Sequence, residues 1–192
     1  MKLSGADLSG IRLEENKFTN QGSHPNRTVS LWFRAENPAA KNQRQYLYDG
    51  SGALKGAAIY LEEGTLYAGA WDLPTEWKGT WLKVPGIEPA RWYHLALVLE
   101  GDAKEKEKAM RLYLDGKLAA DGFAGPINGG HEELAFGTWT KTVRTAEDPP
   151  SKAAKRGFAG MMDEIELFNT ALSPEVVKIL SGLRFGASSP AK

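Results

Sequence analysis

Short runs of alternating apolar and polar residues recur along this chain and limit its fold more than any other feature. In TVSLWFRAE, Val29, Leu31 and Phe33 share one side and the intervening residues share the other, which is the period of a half-buried β-strand. Asp115-Gly116 lies between two such runs and is a strong hairpin signal. Strand-like runs cover 28–36, 45–52, 57–71, 91–101, 110–120, 133–139 and about 158–168. This spacing predicts an all-β fold, an antiparallel β-sandwich or jelly roll.

The stretch LSPEVVKIL breaks this pattern and predicts a short C-terminal helix. Ser173 suits the N-cap, Pro174 the first helical position and Glu175 the first turn. No linker-like segment divides the chain, so we expect one domain over 1–192. Its core would run from about 28 to 180, with a frayed tail over 181–192.

Composition excludes several classes of protein. A chain of 192 residues without cysteine can bury about 70% of its unfolded surface without disulfides. The 24 basic and 24 acidic residues balance, which argues against a nucleic-acid partner. No apolar run of 18 residues is present, so no membrane insertion is expected. The start, MKLSGADLSGIRL, lacks the apolar region of a signal peptide, so the chain is either cytoplasmic or a piece of a longer exported protein.

Four segments in a fixed order carry a resemblance to a known family. The first is an early strand with an aromatic residue, Trp32, and the second is a Trp-x-His-hydrophobic-Ala strand at 92–96. The third is a Leu-Tyr-hydrophobic-Asp-Gly hairpin at 112–116. The fourth is a Phe-x-Gly-x-hydrophobic-Asp-Glu strand at 158–165, followed by an Asn-x-Ala-Leu-Ser corner at 169–173. From about Thr28 to Leu180, the chain resembles the laminin-G-like, concanavalin A-like family of jelly-roll lectin and glucanase domains.

The resemblance implies a jelly roll and a choice of functions, since one fold hosts many activities. The first is a non-catalytic recognition module that binds carbohydrate or mediates adhesion, with a polysaccharide or glycoprotein as partner. Such a module would be extracellular or periplasmic, as part of a larger exported protein. A glycoside hydrolase or lyase of the glucanase type is one alternative, and a structural spacer without a ligand is the other.

The acidic strand MMDEIELF bears on the hydrolase alternative. Strict alternation puts Glu164 and Glu166 on one face, and paired carboxylates are the catalytic groups of glycosidases. The stretch resembles the acidic strand of the jelly-roll β-glucanases, but Ile165 replaces the central Asp of that pattern. A solvated outer face is the interpretation that the residues favour, and we therefore predict no catalytic residue.

Strict alternation also puts Asp163 on an apolar face, beside Met161 and Ile165. A buried carboxylate is costly unless it is hydrogen-bonded, paired or bound to metal. Two interpretations stay open: hydrogen bonds from backbone N–H groups, or a structural Ca²⁺ ion, which favours oxygen ligands. The resemblance implies calcium, since family members often carry one. Asp49, in YDGSG, is the next candidate ligand.

Tryptophans cluster in a turn-rich stretch, AWDLPTEWKGTWLKVPG. Trp71, Trp77 and Trp81 lie within eleven residues of one another, and we expect at least one ring on an exposed loop. Aromatic rings offer an apolar face to the axial C–H groups of a pyranose. These three, together with Trp139, are therefore predicted ligand-binding residues, with core packing as the competing interpretation.

A long segment without periodicity, 140–157, is predicted to be a loop. Its five basic and two acidic residues give a net charge of +3, and loops of this length are often functional. A basic rim that includes Arg144 would favour an acidic or sulfated polysaccharide, and a solvated variable loop is the competing interpretation.

The three histidines give no metal or catalytic pattern. His94 alternates with Trp92 and Ala96 in a strong strand, and we expect a satisfied histidine within the sandwich. His24 and His131 have no ligand-like spacing to it, which argues against a zinc site or a Ser-His-Asp triad.

Overall fold

The computed structural model describes residues 1–7, 9–19, 22–128, 133–140, 144–146 and 152–182. The strands are β1 Lys2–Ser4, β2 Ile11–Leu13, β3 Ser23–His24, β4 Asn26–Ala35, β5 Gln43–Ser51, β6 Lys55–Glu62, β7 Thr65–Asp72, β8 Trp77–Pro85, β9 Trp92–Glu100, β10 Met110–Leu114, β11 Lys117–Gly122, β12 Ile127–Asn128, β13 Leu134–Phe136, β14 Ala154–Gly157 and β15 Ala159–Phe168. The helix α1 spans Pro174–Gly182, and a short 3-10 helix spans Leu73–Thr75.

These strands form two large sheets that pack face to face. The six-stranded sheet has the order β1-β15-β4-β9-β10-β11, and the seven-stranded sheet has the order β2-β13-β5-β6-β7-β8 with β14 paired to β5. All the pairings are antiparallel except β14 with β5, which is parallel, and β3 and β12 form a separate two-stranded ribbon. The predicted all-β jelly-roll sandwich with a short C-terminal helix is confirmed.

Two tight turns fix the register of the central hairpins. Glu63-Gly64 joins β6 to β7, and Asp115-Gly116 joins β10 to β11. The φ angles of Glu63 and Gly64 are 48° and 79°, and those of Asp115 and Gly116 are 51° and 73°. Two central residues with positive φ match the right-handed twist of the flanking strands, so the predicted turn at Asp115-Gly116 is confirmed and Glu63-Gly64 forms a second turn of the same kind.

One hydrophobic core lies between the two sheets. From the six-stranded sheet it receives alternate residues of β4 and β9, among them Leu31, Phe33 and Leu97. From the seven-stranded sheet it receives alternate residues of β6 and β7, such as Ile59 and Leu66. Because side chains alternate across a strand, the residues between these point away from the core and form an outer face on each sheet.

The helix α1 covers part of the outer face of the six-stranded sheet. Val177 is fully buried there against Ala96, Val98 and Tyr113. The Ser173 hydroxyl accepts a hydrogen bond from the N–H of Val176 at 3.4 Å, as predicted for the N-cap. We call this surface, with α1 on it, the helix face.

The corner that precedes α1 is fixed to β4. The hydroxyl of Thr28 donates to the carbonyl of Thr170 at 2.8 Å and accepts from the N–H of Leu172 at 3.1 Å. One buried side chain thereby satisfies two backbone groups of the corner, which places the helix at a defined point on the sheet.

The sheets contain strands that the sequence did not predict. β1 and β2 lie before the expected start of the core at 28, and Leu3 of β1 is buried within it. β8 occupies the stretch expected to be a loop, and β14 lies inside the predicted loop 140–157. The helix continues through Gly182, and the rest of the predicted tail lies outside the described residues.

The prediction that Asp163 points inward is wrong, because β15 contains a β-bulge. Met162 pairs with core residue Phe33, so Asp163 points outward opposite Trp32. Glu164 has a φ of 45° in the bulge, and beyond it Ile165 packs against the core. An extra residue at a bulge reverses the alternation of a strand. Even-numbered Met162 therefore faces the core before the bulge, and odd-numbered Ile165 faces it after the bulge.

Candidate functional site

The outer face of the seven-stranded sheet carries rows of aromatic side chains. The register places Tyr46 of β5 opposite Tyr60 of β6, Tyr60 opposite Tyr67 of β7, and Tyr67 opposite Lys83 of β8. Two tryptophans lie beside this row on the same face. We call this surface the aromatic face, and its rings are Tyr46, Tyr60, Tyr67, Trp71 and Trp81.

Trp81 lies flat on the sheet because its cross-strand neighbour is a glycine. Gly69 pairs with Trp81, and a Cβ built on Gly69 would overlap the six-membered ring of the indole. One face of the ring therefore packs on the Gly69 backbone. The side chain stays partly exposed, so the opposite face of the indole points away from the sheet.

Trp71 lies under this surface. It is fully buried and stacks against Trp81, with the ring centroids 5.6 Å apart and the planes 22° from parallel. Its indole N–H donates to the carbonyl of Gly52 at 3.2 Å. The guanidinium of Arg144 lies 5.8 Å from the Trp71 ring centroid and donates to the carbonyl of Lys78 at 2.8 Å. Trp71 thus supports Trp81 and leaves no ring face open.

The tyrosine row continues the aromatic face on the other side of Trp81. Tyr60 and Tyr67 stack with centroids 4.9 Å apart, 14° from parallel. Tyr60 is buried while Tyr67 is partly exposed. The ammonium of Lys83 lies 5.3 Å from the centroid of Tyr67, within cation–π range. A partly exposed ring and an exposed cation are therefore adjacent.

A buried ion pair organises the far end of the row. Arg44 lies 4.9 Å from the Tyr60 ring centroid, and its Nη2 is 2.8 Å from the carboxylate of Glu62. Burial raises the pKa of Tyr60, while a hydrogen bond from the N–H of Ala146 to its hydroxyl acts in the opposite direction. The Tyr60 hydroxyl therefore stays protonated and serves as an anchor for the loop that contains Ala146.

Asp49 anchors the start of the same loop. Its carboxylate is fully buried and accepts hydrogen bonds from the backbone N–H and the hydroxyl of Thr140, at 2.7 and 2.8 Å. Trp139, immediately before, is partly exposed, with its ring centroid 6.1 Å from that of Tyr46. Asp49 thus holds Trp139 and Thr140 at the edge of the aromatic face.

Four of the five predicted ligand-binding residues lie at the aromatic face. Trp81 and Trp139 are partly exposed there, Trp71 is buried beneath Trp81, and Arg144 lies over Trp71. Trp77 points instead to the core side of the sheet, where its indole N–H donates to the hydroxyl of Thr80 at 3.2 Å. The expectation of an exposed loop is wrong for Trp71, Trp77 and Trp81, because all three are on strands.

Sequence reasoning missed the tyrosine row and its charged neighbours. A signal was present in the run 57–71: Tyr60 and Tyr67 stand at equal distances from the Glu63-Gly64 turn, which makes them cross-strand partners. Lys83 was missed because β8 was not predicted as a strand. Arg44 was missed because the start of β5 carries too many polar residues to show alternation.

The two predicted calcium ligands do not meet. Asp49 belongs to the seven-stranded sheet and binds Thr140, while Asp163 belongs to the six-stranded sheet and is exposed. Within the described ranges, no group of three or more His, Asp or Glu side chains is arranged to hold a metal ion. Calcium binding stays a prediction.

The acidic residues of β15 lie on the helix face, on the opposite side of the sandwich from the aromatic rings. Glu166 pairs with Ser30 and points outward, as predicted, and Glu164 is exposed at the bulge. Partial burial raises the pKa of Glu166, and the nearby Glu164 carboxylate raises it further. The two carboxyl groups therefore interact with each other. Both lie across the sandwich from the aromatic face.

His94 is also on the helix face and is buried. Its Nε2 is 3.1 Å from the hydroxyl of Ser30, and its ring meets Trp32 edge to face at 5.3 Å. Burial lowers the pKa of His94 to about 4, although Asp115 acts in the opposite direction. Its backbone N–H donates to the Asp115 carboxylate at 2.9 Å. The imidazole is thus neutral at pH 7 and belongs to the packing of the helix face.

Comparison with protein families gives one match that spans most of the chain. A family model described as the concanavalin A-like lectin/glucanases superfamily matches residues 6–178. A search of curated protein sequences gives no significant match. Among the described residues, no helix has the length and apolar character needed to cross a membrane.

Solved structures share the fold at low sequence identity. The receptor-binding domain of botulinum neurotoxin D has a TM-score of 0.66 at 13% identity, over 94% of this chain and 42% of that one. The heptameric SAP-like pentraxin from Limulus polyphemus has a TM-score of 0.61 at 15% identity, over 94% and 80%. The neurotoxin D ligand-binding domain in complex with N-acetylneuraminic acid has a TM-score of 0.64 at 14% identity, over 94% and 41%. The chain thus spans about two fifths of the neurotoxin chains, and the likeness shows the fold.

Proposed function

The chain belongs to the concanavalin A-like lectin/glucanase superfamily, and we propose that it is a non-catalytic recognition module that binds carbohydrate through its aromatic face. The observation that carries this proposal is the Trp81 indole. One of its faces packs on Gly69, and the other points away from the sheet. A flat, supported ring of this kind matches the apolar face of a pyranose.

The surroundings of Trp81 supply the polar groups that a sugar also needs. Carbohydrate ligands combine apolar ring faces with many hydroxyl groups, so their sites combine aromatic rings with hydrogen-bond donors and acceptors. Tyr67 and Lys83 stand on one side of Trp81, and Arg144 stands on the other, above Trp71. The neighbouring structures support the same class of ligand, since one of them is a complex with N-acetylneuraminic acid.

The geometry does not favour the two alternative functions. A glycosidase needs its carboxyl pair at the bound sugar, but Glu164 and Glu166 lie on the sheet opposite the aromatic face. A spacer domain needs no exposed rings, and partly exposed aromatic side chains beside cations are typical of recognition surfaces. A glycoprotein partner would use the same surface through its glycans.

A glycan array followed by fluorescence titration tests the proposal. We expect Trp81→Ala to lower the affinity for the best oligosaccharide by roughly tenfold or more, since aromatic stacking contributes about 1 kcal/mol beyond the area it buries. Trp92→Ala is the matched control, because Trp92 is a partly exposed tryptophan on the other sheet. Unchanged binding in Trp81→Ala, or equal losses in both variants, would contradict the proposal.

We also propose that the domain acts outside the cytoplasm, as part of a larger exported protein. Laminin G-like lectin domains are usually extracellular, and the glycans that such a module meets are displayed there. Detection of the protein in the surface or secreted fraction of its native cells would support this location, and exclusive recovery in the cytosol would contradict it.

A further inference from the structure

We propose that the aromatic face selects saccharides that carry an anionic group, a carboxylate or a sulfate. This inference rests on the proposed function and specifies its ligand class. It follows from which charges on the aromatic face are already neutralised and where the others lie.

The Glu62 carboxylate, next to the tyrosines on β6, is already paired. Glu62 is 2.8 Å from Arg44, a guanidinium that is only 3% exposed. The Asp49 carboxylate is buried and holds Thr140. Both acidic groups therefore serve the protein's own structure, and neither is presented to a ligand above Trp81.

Two cations remain on either side of the Trp81 ring. Lys83 and Arg144 form no ion pair with a carboxylate of the described residues, and Lys83 is exposed while Arg144 is partly exposed. The described part of the surface is therefore positive around the partly exposed Trp81 indole.

The spacing suits one sugar ring with a charged substituent. Lys83 is two positions after Trp81 on the same strand, which places their Cα atoms about 6–7 Å apart on the same face. Arg144 approaches from the opposite side, over Trp71. A pyranose stacked on Trp81 thus has a cation beyond each edge, so a carboxylate or sulfate reaches one of them in either of two orientations.

Three oligosaccharide probes of equal length test the inference by titration at low salt. They are trigalacturonate, its fully methyl-esterified form, which lacks the charge, and a sulfated galactan trisaccharide. We expect one of the two anionic probes to bind at least tenfold more tightly than the ester. We expect the difference to shrink at about 0.5 M NaCl, where charges more than a few ångströms apart are screened.

Variants assign the preference to its residues. Lys83→Gln and Arg144→Gln should each lower affinity for the anionic probe about threefold to fivefold, the range for one exposed ion pair, and should lower affinity for the ester by a smaller factor. Arg144→Lys should retain most of the preference. Lys108→Gln is the control, an exposed lysine in the β9–β10 loop.

The outcomes separate this inference from the proposed function. Tighter binding of the carboxylated or of the sulfated probe supports the inference and tells which anion is preferred. Equal binding of the ester and of both anionic probes overturns the inference and leaves carbohydrate binding intact. A failure of all three probes and of the glycan array overturns both.

Discussion

The two outer faces of the sandwich are built from the same alternation but are used differently. On the six-stranded sheet, α1 covers the small and apolar residues Ala96 and Val98, and His94 is buried beside them. On the seven-stranded sheet, the corresponding positions are rings, and Trp81 and Tyr67 stay partly exposed. A sheet face that is not needed for packing is available for binding, and here its rings are placed by small neighbours such as Gly69.

The comparison also separates two kinds of buried polar group. His94 is neutral and supports the packing under α1. Arg44 and Asp49 on the other sheet are buried, and each is engaged by a neighbour on the aromatic face or its loop. Buried polar groups with fixed partners hold a surface in one arrangement.

The largest expected effect comes from removing Trp71, the ring on which the aromatic face depends. Because Trp71 is fully buried and stacks on Trp81, Trp71→Ala leaves a large cavity and should lower the free energy of unfolding by about 3–5 kcal/mol. Chemical denaturation followed by circular dichroism measures this. Trp81→Ala should cost much less stability, since its ring is partly exposed. Equal losses of unfolding free energy in the two variants would contradict the view that Trp71 is the structural support and Trp81 the ring that a ligand contacts.

The second effect is on the helix face and depends on pH. Folding lowers the pKa of His94 from 6.5 to about 4, so between these values the unfolded chain holds a proton that the folded chain lacks. The contribution of His94 to the free energy of unfolding is then fully present above pH 6.5. It is lost on acidification towards pH 4, by up to about 1.4 kcal/mol per pH unit. Melting temperatures of the wild type between pH 7 and 4 test this.

The control for that experiment is His94→Gln. Glutamine retains a hydrogen-bonding group for Ser30 but does not titrate, so the variant should lose less stability between pH 7 and 4 than the wild type. Parallel curves for the two proteins would contradict a neutral buried His94. The aromatic face provides the contrast, because Trp81→Ala should leave the pH dependence unchanged.

A smaller effect is expected from Gly69→Ala, which adds one methyl group. The new Cβ would overlap the Trp81 ring, so the indole must lift from the sheet, at a cost of about 1–3 kcal/mol. Carbohydrate affinity should fall by roughly as much as in Trp81→Ala, because the ring is present but tilted. Ala68→Gly is the neighbouring control, since Ala68 points to the core. Unchanged affinity in Gly69→Ala would show that a flat ring is not required.

The sequence was sufficient for the fold because the strands with one buried face alternate clearly and two turns carry Asp-Gly or Glu-Gly pairs. It was insufficient for β8, where Trp77 and Trp81 bracket Gly79 and mask the alternation of Leu82 and Val84. The tryptophans Trp71, Trp77 and Trp81 lie on two neighbouring strands, but their separation to the two sides of one sheet depends on a register shift between β7 and β8. Such a shift has no local sequence signal.

The acidic strand shows the same limit more sharply. The alternation of MMDEIELF predicts Asp163 among apolar side chains, whereas the bulge at Glu164 lets Met162 on one side and Ile165 on the other both face the core. A bulge is a local change in the backbone that the neighbouring strand stabilises. Whether an alternating run contains one is therefore decided by its partner β4 and not by its own residues.

The smallest expected effect, Asp163→Ala, tests this correction directly. Asp163 is exposed, and the contact of its carboxylate is a 3.1 Å hydrogen bond from the N–H of Glu164, so the substitution should change the free energy of unfolding by less than about 0.5 kcal/mol. An inward, hydrogen-bonded carboxylate would instead cost several times more on removal. Melting with and without a chelator, for the wild type and Asp163→Ala, adds the test of calcium. A chelator-dependent loss of stability that disappears in the variant would establish Asp163 as a calcium ligand. Identical curves in all four conditions would place the residue on a solvated surface and would contradict a calcium site at Asp163.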